Sequence, residues 1–193
     1  MTSFALHLLR HGAPQESTLR AGALVGWTDA APSAEGIALC MARGEGIATE
    51  RLISSDLDRA RAVGERLSAR RGQPLSIDPR WREMHFGAWD GIAPADIPAE
   101  PLARFRDDPD ACPPPGGESW TALRARVDEA LRALESAPTL IVTHGGAMRA
   151  ALSLLCGFDL HQCWAIDLPH AARLSLRIWP GERMMAQITG LAT

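Results

Sequence analysis

The 193 residues include no lysine, no asparagine and no tyrosine, so all 20 basic residues are arginine. Without lysine, Schiff-base chemistry and lysine nucleophiles are excluded. The codons of the three missing residues are A/T-rich, so their absence reflects a GC-rich coding sequence before any function. A basic excess is also lacking: the formal charge is -3, which gives nucleic acid no electrostatic reason to bind. No apolar run approaches the length of a membrane-spanning helix, so no membrane partner is expected. Cysteine is sparse. Cys40, Cys112, Cys156 and Cys163 form no CxxC pair, which argues against a zinc site or a disulfide framework and for free thiols. The N-terminal "MTSFALHLLRHG" has no basic region before its short apolar stretch. It reads as a first strand and not as a signal peptide, so a cytoplasmic location is expected.

The chain length suits one domain over residues 1–193. "FALHLL" (4–9) and "TLIVT" (139–143) read as buried strands, and each is followed within two residues by a histidine. "SSDLDRARAVGERLSARRG" reads as an amphipathic helix capped by Ser54 or Ser55 and stopped at Gly72, after the short apolar "RLIS". Residues 119–137, with Leu123, Val127, Leu131 and Leu134 at helical spacing, and 146–157 give two more helices. "AARLSLRIW" (171–179) alternates as a strand and can pair with "RMMAQIT" (183–189) through the Pro180-Gly181 turn. Strands alternating with helices imply an α/β fold: a three-layer α/β/α sandwich with a mostly parallel central sheet and an antiparallel edge strand. Residues 91–119, crowded with proline and without a clear period, read as a flap more readily than as a linker.

In such sheets ligands bind beyond the carboxyl ends of the strands. Arg10, His11 and His144 would therefore meet there, together with the amide-rich helix starts after Ser55 and at Gly145. An arginine fork recognises a phosphate or carboxylate bidentately. The pocket suits an oxyanion.

The order of "LLRHG", "ISSDLDRA", "REMHFGAWDG", "PGGES" and "VTHGG" resembles the histidine phosphatase superfamily, also called phosphoglycerate mutase-like, over about Phe4 to Trp179. The resemblance implies that His11 is a nucleophile that becomes phosphorylated, with Arg10, Arg59 and His144 completing the phosphate pocket and Glu83 donating the proton. Two guanidinium groups then neutralise the phosphoryl oxygens, so neither metal nor other cofactor is implied. His11 must attack as neutral imidazole, with its other ring nitrogen held by an acceptor such as a backbone carbonyl. Glu83 must hold a proton for the leaving alkoxide, which calls for a raised pKa. Ser17, Gly26, Trp27, Thr28 and Gly145 are the candidate substrate-binding residues. His7 reads as structural, His85 and His161 as surface residues, and His170 as a candidate pocket lining.

The family's first motif often reads R-H-G-E-T-x-x-N, whereas Ala13, Pro14 and Ser17 stand here. One hydroxyl and one amide near the phosphate are thereby missing. The chain looks too short for the enclosure that keeps water from the phosphohistidine in the mutases, so hydrolysis of a small-molecule phosphate ester is expected. Short members resembling α-ribazole phosphatases share the "FGAWDG" and "PGGES" arrangement, which makes α-ribazole 5′-phosphate the leading specific substrate. A broad phosphomonoesterase is equally compatible. The rival readings are a phosphoglycerate mutase-type transferase and a non-catalytic phosphate-ligand-binding protein. A homodimer is compatible with the chain, which carries no oligomerisation signal.

Overall fold

The computed structural model describes residues 2–15 and 22–193. Six strands are present: β1 (Phe4–Arg10), β2 (Arg51–Ser54), β3 (Leu75–Ile77), β4 (Thr139–Thr143), β5 (Arg173–Trp179) and β6 (Met185–Ala192). They form one sheet in the order β3-β2-β4-β1-β5-β6. Strands β1 to β4 pair in parallel, and β5 runs antiparallel to both β1 and β6. The antiparallel edge is thus a two-stranded hairpin added to a parallel core.

The six helices are α1 (Ala34–Gly44), α2 (Asp58–Arg71), α3 (Ala99–Asp107), α4 (Trp120–Arg132), α5 (Gly145–Cys156) and α6 (Leu160–Trp164). Strand side chains alternate between two cores. Leu6, Leu8 and Ile141 pack with Leu123 and Val127 of α4 and Met148 and Leu152 of α5. Leu9, Leu140 and Val142 pack on the other face with Cys40 of α1 and with Ala60, Val63 and Leu67 of α2. This gives the α/β/α layering, and β4 is buried along its whole length, as expected of a parallel strand covered on both faces.

The helix starts differ from the sequence reading in one instructive place. Ser119 caps α4 by accepting the Ala122 amide, a contact worth about 1 kcal/mol. Neither Ser54 nor Ser55 caps α2: the N-cap position is Leu57 and lacks a side-chain bond. Ser54 Oγ donates to the Ser55 carbonyl, and Ser55 is used elsewhere. Helix α4 ends at Arg132, five residues before the expected end. Residues 91–119 hold α3, and Ile97 and Leu102 from this segment pack on Trp89 in a small separate core.

β1 and β4 are neighbours with Arg10 opposite Thr143. The chain leaves β1 toward α1 on one face and leaves β4 toward α5 on the other. A crevice opens where adjacent strands diverge in this way, and the next residues on the two chains are His11 and His144.

Candidate active site

His11 is held on every side by the backbone around it. Its amide donates to the Thr143 carbonyl at 2.9 Å and its carbonyl accepts from Ala171 at 3.0 Å. The Nδ1–H donates to the Gly12 carbonyl at 2.7 Å, the type of acceptor expected from the sequence. This fixes the tautomer with Nε2 unprotonated, and that nitrogen accepts from Arg59 Nε–H at 3.3 Å. Burial, then the Arg59 and Arg10 charges, holds the imidazole well below its ordinary pKa, so the ring is neutral near pH 7. Gly12 is wedged against α1: a Cβ there would lie 2.2 Å from the Gly36 carbonyl oxygen.

Arg59, the first arginine of α2, is fully buried. Its Nη1 donates to the Thr28 carbonyl at 2.9 Å, and its Nη2 to the Gly26 carbonyl at 2.5 Å and the Val25 carbonyl at 3.3 Å. Asp90 takes the opposite side of the same loop, accepting the amides of Gly26, Trp27 and Thr28 at 2.9, 2.8 and 2.9 Å. The 25–28 loop is therefore clamped between a buried cation and a carboxylate. The side chain of Trp27 extends toward the proton-donor candidate: its Nε1 donates to the Glu83 carbonyl, and its ring meets His85 edge-on at 4.7 Å. His85 is thus half-buried and not a free surface residue, whereas His161 is exposed as expected.

His144 lies beside His11, ring centroids 4.9 Å apart. Burial first, then Arg59 and His11, pushes its pKa well down. Its Nε2 is bonded to Ser55 Oγ at 2.9 Å, and its Nδ1 is buried without a partner. Arg10 donates from Nη1 to the Leu168 carbonyl at 2.6 Å, while its Nε has no partner. Both unpartnered nitrogens belong to side chains that the sequence placed in an oxyanion pocket, and both can serve an anion as donors. His170 completes the mouth, its ring 5.3 Å from that of His11 and its Nε2 3.4 Å from Arg10. Partial burial and the Arg10 and Arg59 charges bring its pKa down to about 4.

Glu83 enters from the other side. Its Oε1 accepts from the Met84 amide at 2.8 Å and the Gly146 amide at 2.9 Å, and the same Gly146 amide reaches Oε2 at 3.2 Å. Arg126 of α4 fixes the segment by donating to the carbonyls of Arg80, Arg82 and Glu83, and pairs with Glu118. A Cβ at Gly146 would lie 2.1 Å from Glu83 Oε1, so the second glycine of "HGG" is needed for this approach.

Of the residues singled out in the sequence, His11, Arg10, Arg59, His144, Glu83 and Gly145 come together at the strand ends, with Gly26 to Thr28 as one wall. Ser17 lies outside the described residues. Sequence reasoning missed Ser55 as the partner of His144, Asp90 as the loop clamp, and Arg126. An acid just past "FGAW" was the available signal for Asp90.

A family model for the histidine phosphatase superfamily, branch 1, matches residues 6–189. The chain belongs to that superfamily. Among members of the superfamily, glucosyl-3-phosphoglycerate phosphatase of Mycolicibacterium vanbaalenii is 36% identical over 129 residues, 56% of this chain and 54% of that protein. Adenosylcobalamin/α-ribazole phosphatase of Salmonella typhimurium is 28% identical over 122 residues, 60% of each chain. The chain spans about half the length of the curated relatives it matches. The solved structure of a mycobacterial glucosyl-3-phosphoglycerate phosphatase superposes with a TM-score of 0.82 at 26% identity, covering 97% of this chain and 98% of that one. Among the described residues, no helix is long and apolar enough to cross a membrane.

Proposed function

We propose that the protein is a phosphomonoesterase that hydrolyses a small phosphate ester through a phosphohistidine on His11. The observation that carries this reading is the Nδ1–H bond to the Gly12 carbonyl, which leaves Nε2 unprotonated among cations, with only the 3.3 Å contact from Arg59 Nε on it. In the first step Nε2 attacks phosphorus, the N–P bond forms and the ester P–O bond breaks. The leaving alkoxide takes the proton of Glu83. Arg10, Arg59 and the Nδ1–H of His144 stabilise the charge on the phosphoryl oxygens. In the second step Glu83, now a carboxylate, removes a proton from water as it attacks phosphorus, and inorganic phosphate leaves with His11 restored.

The supports for hydrolysis over transfer are the phosphatase names of the glucosyl-3-phosphoglycerate and α-ribazole relatives, beside others named probable phosphoglycerate mutases, and the solvent access at His170, which is exposed. Residues 91–119 act in this reading as a flap on the leaving-group side, packed through Ile97 and Leu102 on Trp89. The test is phosphate release in chelator from α-ribazole 5′-phosphate, 3-phosphoglycerate, phosphoserine and an aryl phosphate, comparing the protein with its His11→Ala variant. Release lost in the variant, with labelled phosphate trapped on His11, is the expected result. Phosphate retained in an organic product would identify a mutase instead, and no turnover of any ester would overturn the assignment.

A further inference from the structure

Beyond the pocket around His11 the mouth holds another cation, Arg149, one turn into α5. Helical side chains lean back toward the N-terminus, which brings this guanidinium over Gly145. A Cβ at Gly145 would lie 3.1 Å from Arg149 Nη1 and 3.5 Å from Arg10 Cζ. The two guanidiniums therefore flank one point, the position a Cβ of residue 145 would take.

Arg149 is poorly satisfied for a half-buried charge. Its Nε is buried without a partner, and its one hydrogen bond is a long contact of 3.4 Å to the Gly145 carbonyl. Among the described residues no carboxylate lies within ion-pair distance of it. The face of its guanidinium lies 4.0 Å from the centre of the Trp164 ring, and that indole is 63% exposed. Stacking on an aromatic face fixes the plane of a guanidinium and leaves its N–H edge available. Two like charges side by side raise the cost of each other's burial, and desolvation with the Arg10 charge lowers the Arg149 pKa. Glu83 and exposed Asp167 offset this only from a distance. The strongest charges at His11 are Arg59 and Arg10, so the phosphate site is already furnished without Arg149.

We infer that Arg149, held flat by Trp164, is a specificity residue that binds a carboxylate on the leaving alcohol, so that the preferred substrates are phosphate esters of hydroxy acids. The inference rests on the phosphatase reading for the identity of the phosphate site. It assigns the side of the site away from Arg59 to the second anion of the substrate, which Arg149 would bind while Arg10 stays on the phosphate.

The test pair is 3-phosphoglycerate and glycerol 3-phosphate, which differ by a carboxylate in place of a hydroxymethyl group. The expected kcat/KM ratio is tenfold or more in favour of the acid. Arg149→Gln should lower kcat/KM for the acid at least tenfold more than for the alcohol, and Arg149→Lys should restore part of the preference through charge alone. Equal losses on the two esters would show that Arg149 only ties α5 to α6 and would overturn the inference. Calorimetric binding of the same pair to the His11→Ala variant, with and without Arg149→Gln, reads the discrimination without turnover. Discrimination in binding with no hydrolysis would sink the phosphatase reading and leave the carboxylate site standing. Hydrolysis without discrimination would do the reverse.

Discussion

Ser55 Oγ lies 2.9 Å from Nε2 of His144, 89 residues along the chain, and both side chains are fully buried. The Leu57 amide donates to the same oxygen at 3.3 Å, and a hydroxyl that then donates to the imidazole Nε2 keeps the ring's own proton on Nδ1. Ser55→Ala frees His144 to carry its proton on the wrong nitrogen. The expected outcome is a fall in kcat of about tenfold, on the order of 1.4 kcal/mol, with Ser55→Thr restoring most of it. A Ser55→Ala enzyme with parental kcat in steady-state assays would remove the serine from the account.

The clamp on residues 25–28 makes a second prediction. Asp90→Asn keeps one acceptor oxygen but loses the charge that three amides address. Charge-assisted bonds of this kind contribute about 2 kcal/mol, so Tm should drop by roughly 4–8 °C. KM for phosphate esters should rise as Arg59 loses its fixed carbonyl partners. Calorimetry showing an unchanged Tm would mean that the loop is held by Arg59 alone.

Acid should act on stability sooner than on the nucleophile. His11 and His144 have folded pKa values well below 6.5, by burial first. Below pH 6.5 the unfolded chain binds protons that the folded one refuses, so stability falls as pH falls, by up to about 1.4 kcal/mol per buried imidazole per pH unit. His170, with a pKa of about 4, acts in the same direction but is exposed and counts for less. Urea unfolding at pH 7.5 and 5.5 should show the loss, while kcat/KM shows no titration of His11 near pH 6.5. A stability that is flat across that range would contradict the burial of both rings.

The contact between Gly146 and Glu83 separates leaving groups. Gly146→Ala must push the carboxyl away, because the new Cβ would occupy the position of Oε1. Alkyl phosphates, whose alkoxide needs a proton, should lose kcat tenfold or more, and an aryl phosphate with an acidic phenol should lose clearly less. Equal losses would argue that Glu83 is not the proton donor.

The elements legible in the sequence are those with strong periods and strong punctuation. Strand β4 was read to the residue from "TLIVT", and α5 to within one residue of each end, because Gly145-Gly146 and Gly157 mark its limits. Helix α3 was hidden by the proline density around it. Pro101 falls in its first turn, where no backbone N–H partner is required. Strand β3 has three residues and α6 five, too few for a period to show, although Asp159 and Gln162 form a readable capping box. At the site, the residue types announced the chemistry for His11, Arg10 and Arg59. Asp90, Arg126 and Ser55 act by holding backbone or another side chain, and the amides, carbonyls and imidazole they hold at the site lie 43 to 89 residues away in sequence. Only the fold brings such pairs together.

The close fit of Gly12 on Gly36 ties the readiness of His11 to the first turn of α1. The carbonyl that sets the proton on Nδ1 belongs to Gly12, and Gly12 can stay in place only while the first turn of α1 is wound behind it. Heating should therefore disarm the imidazole when α1 frays, before the sheet melts. Loss of His11 labelling by a phosphoryl donor would then precede the loss of β-structure, and the latch of the nucleophile would be the weakest part of its scaffold.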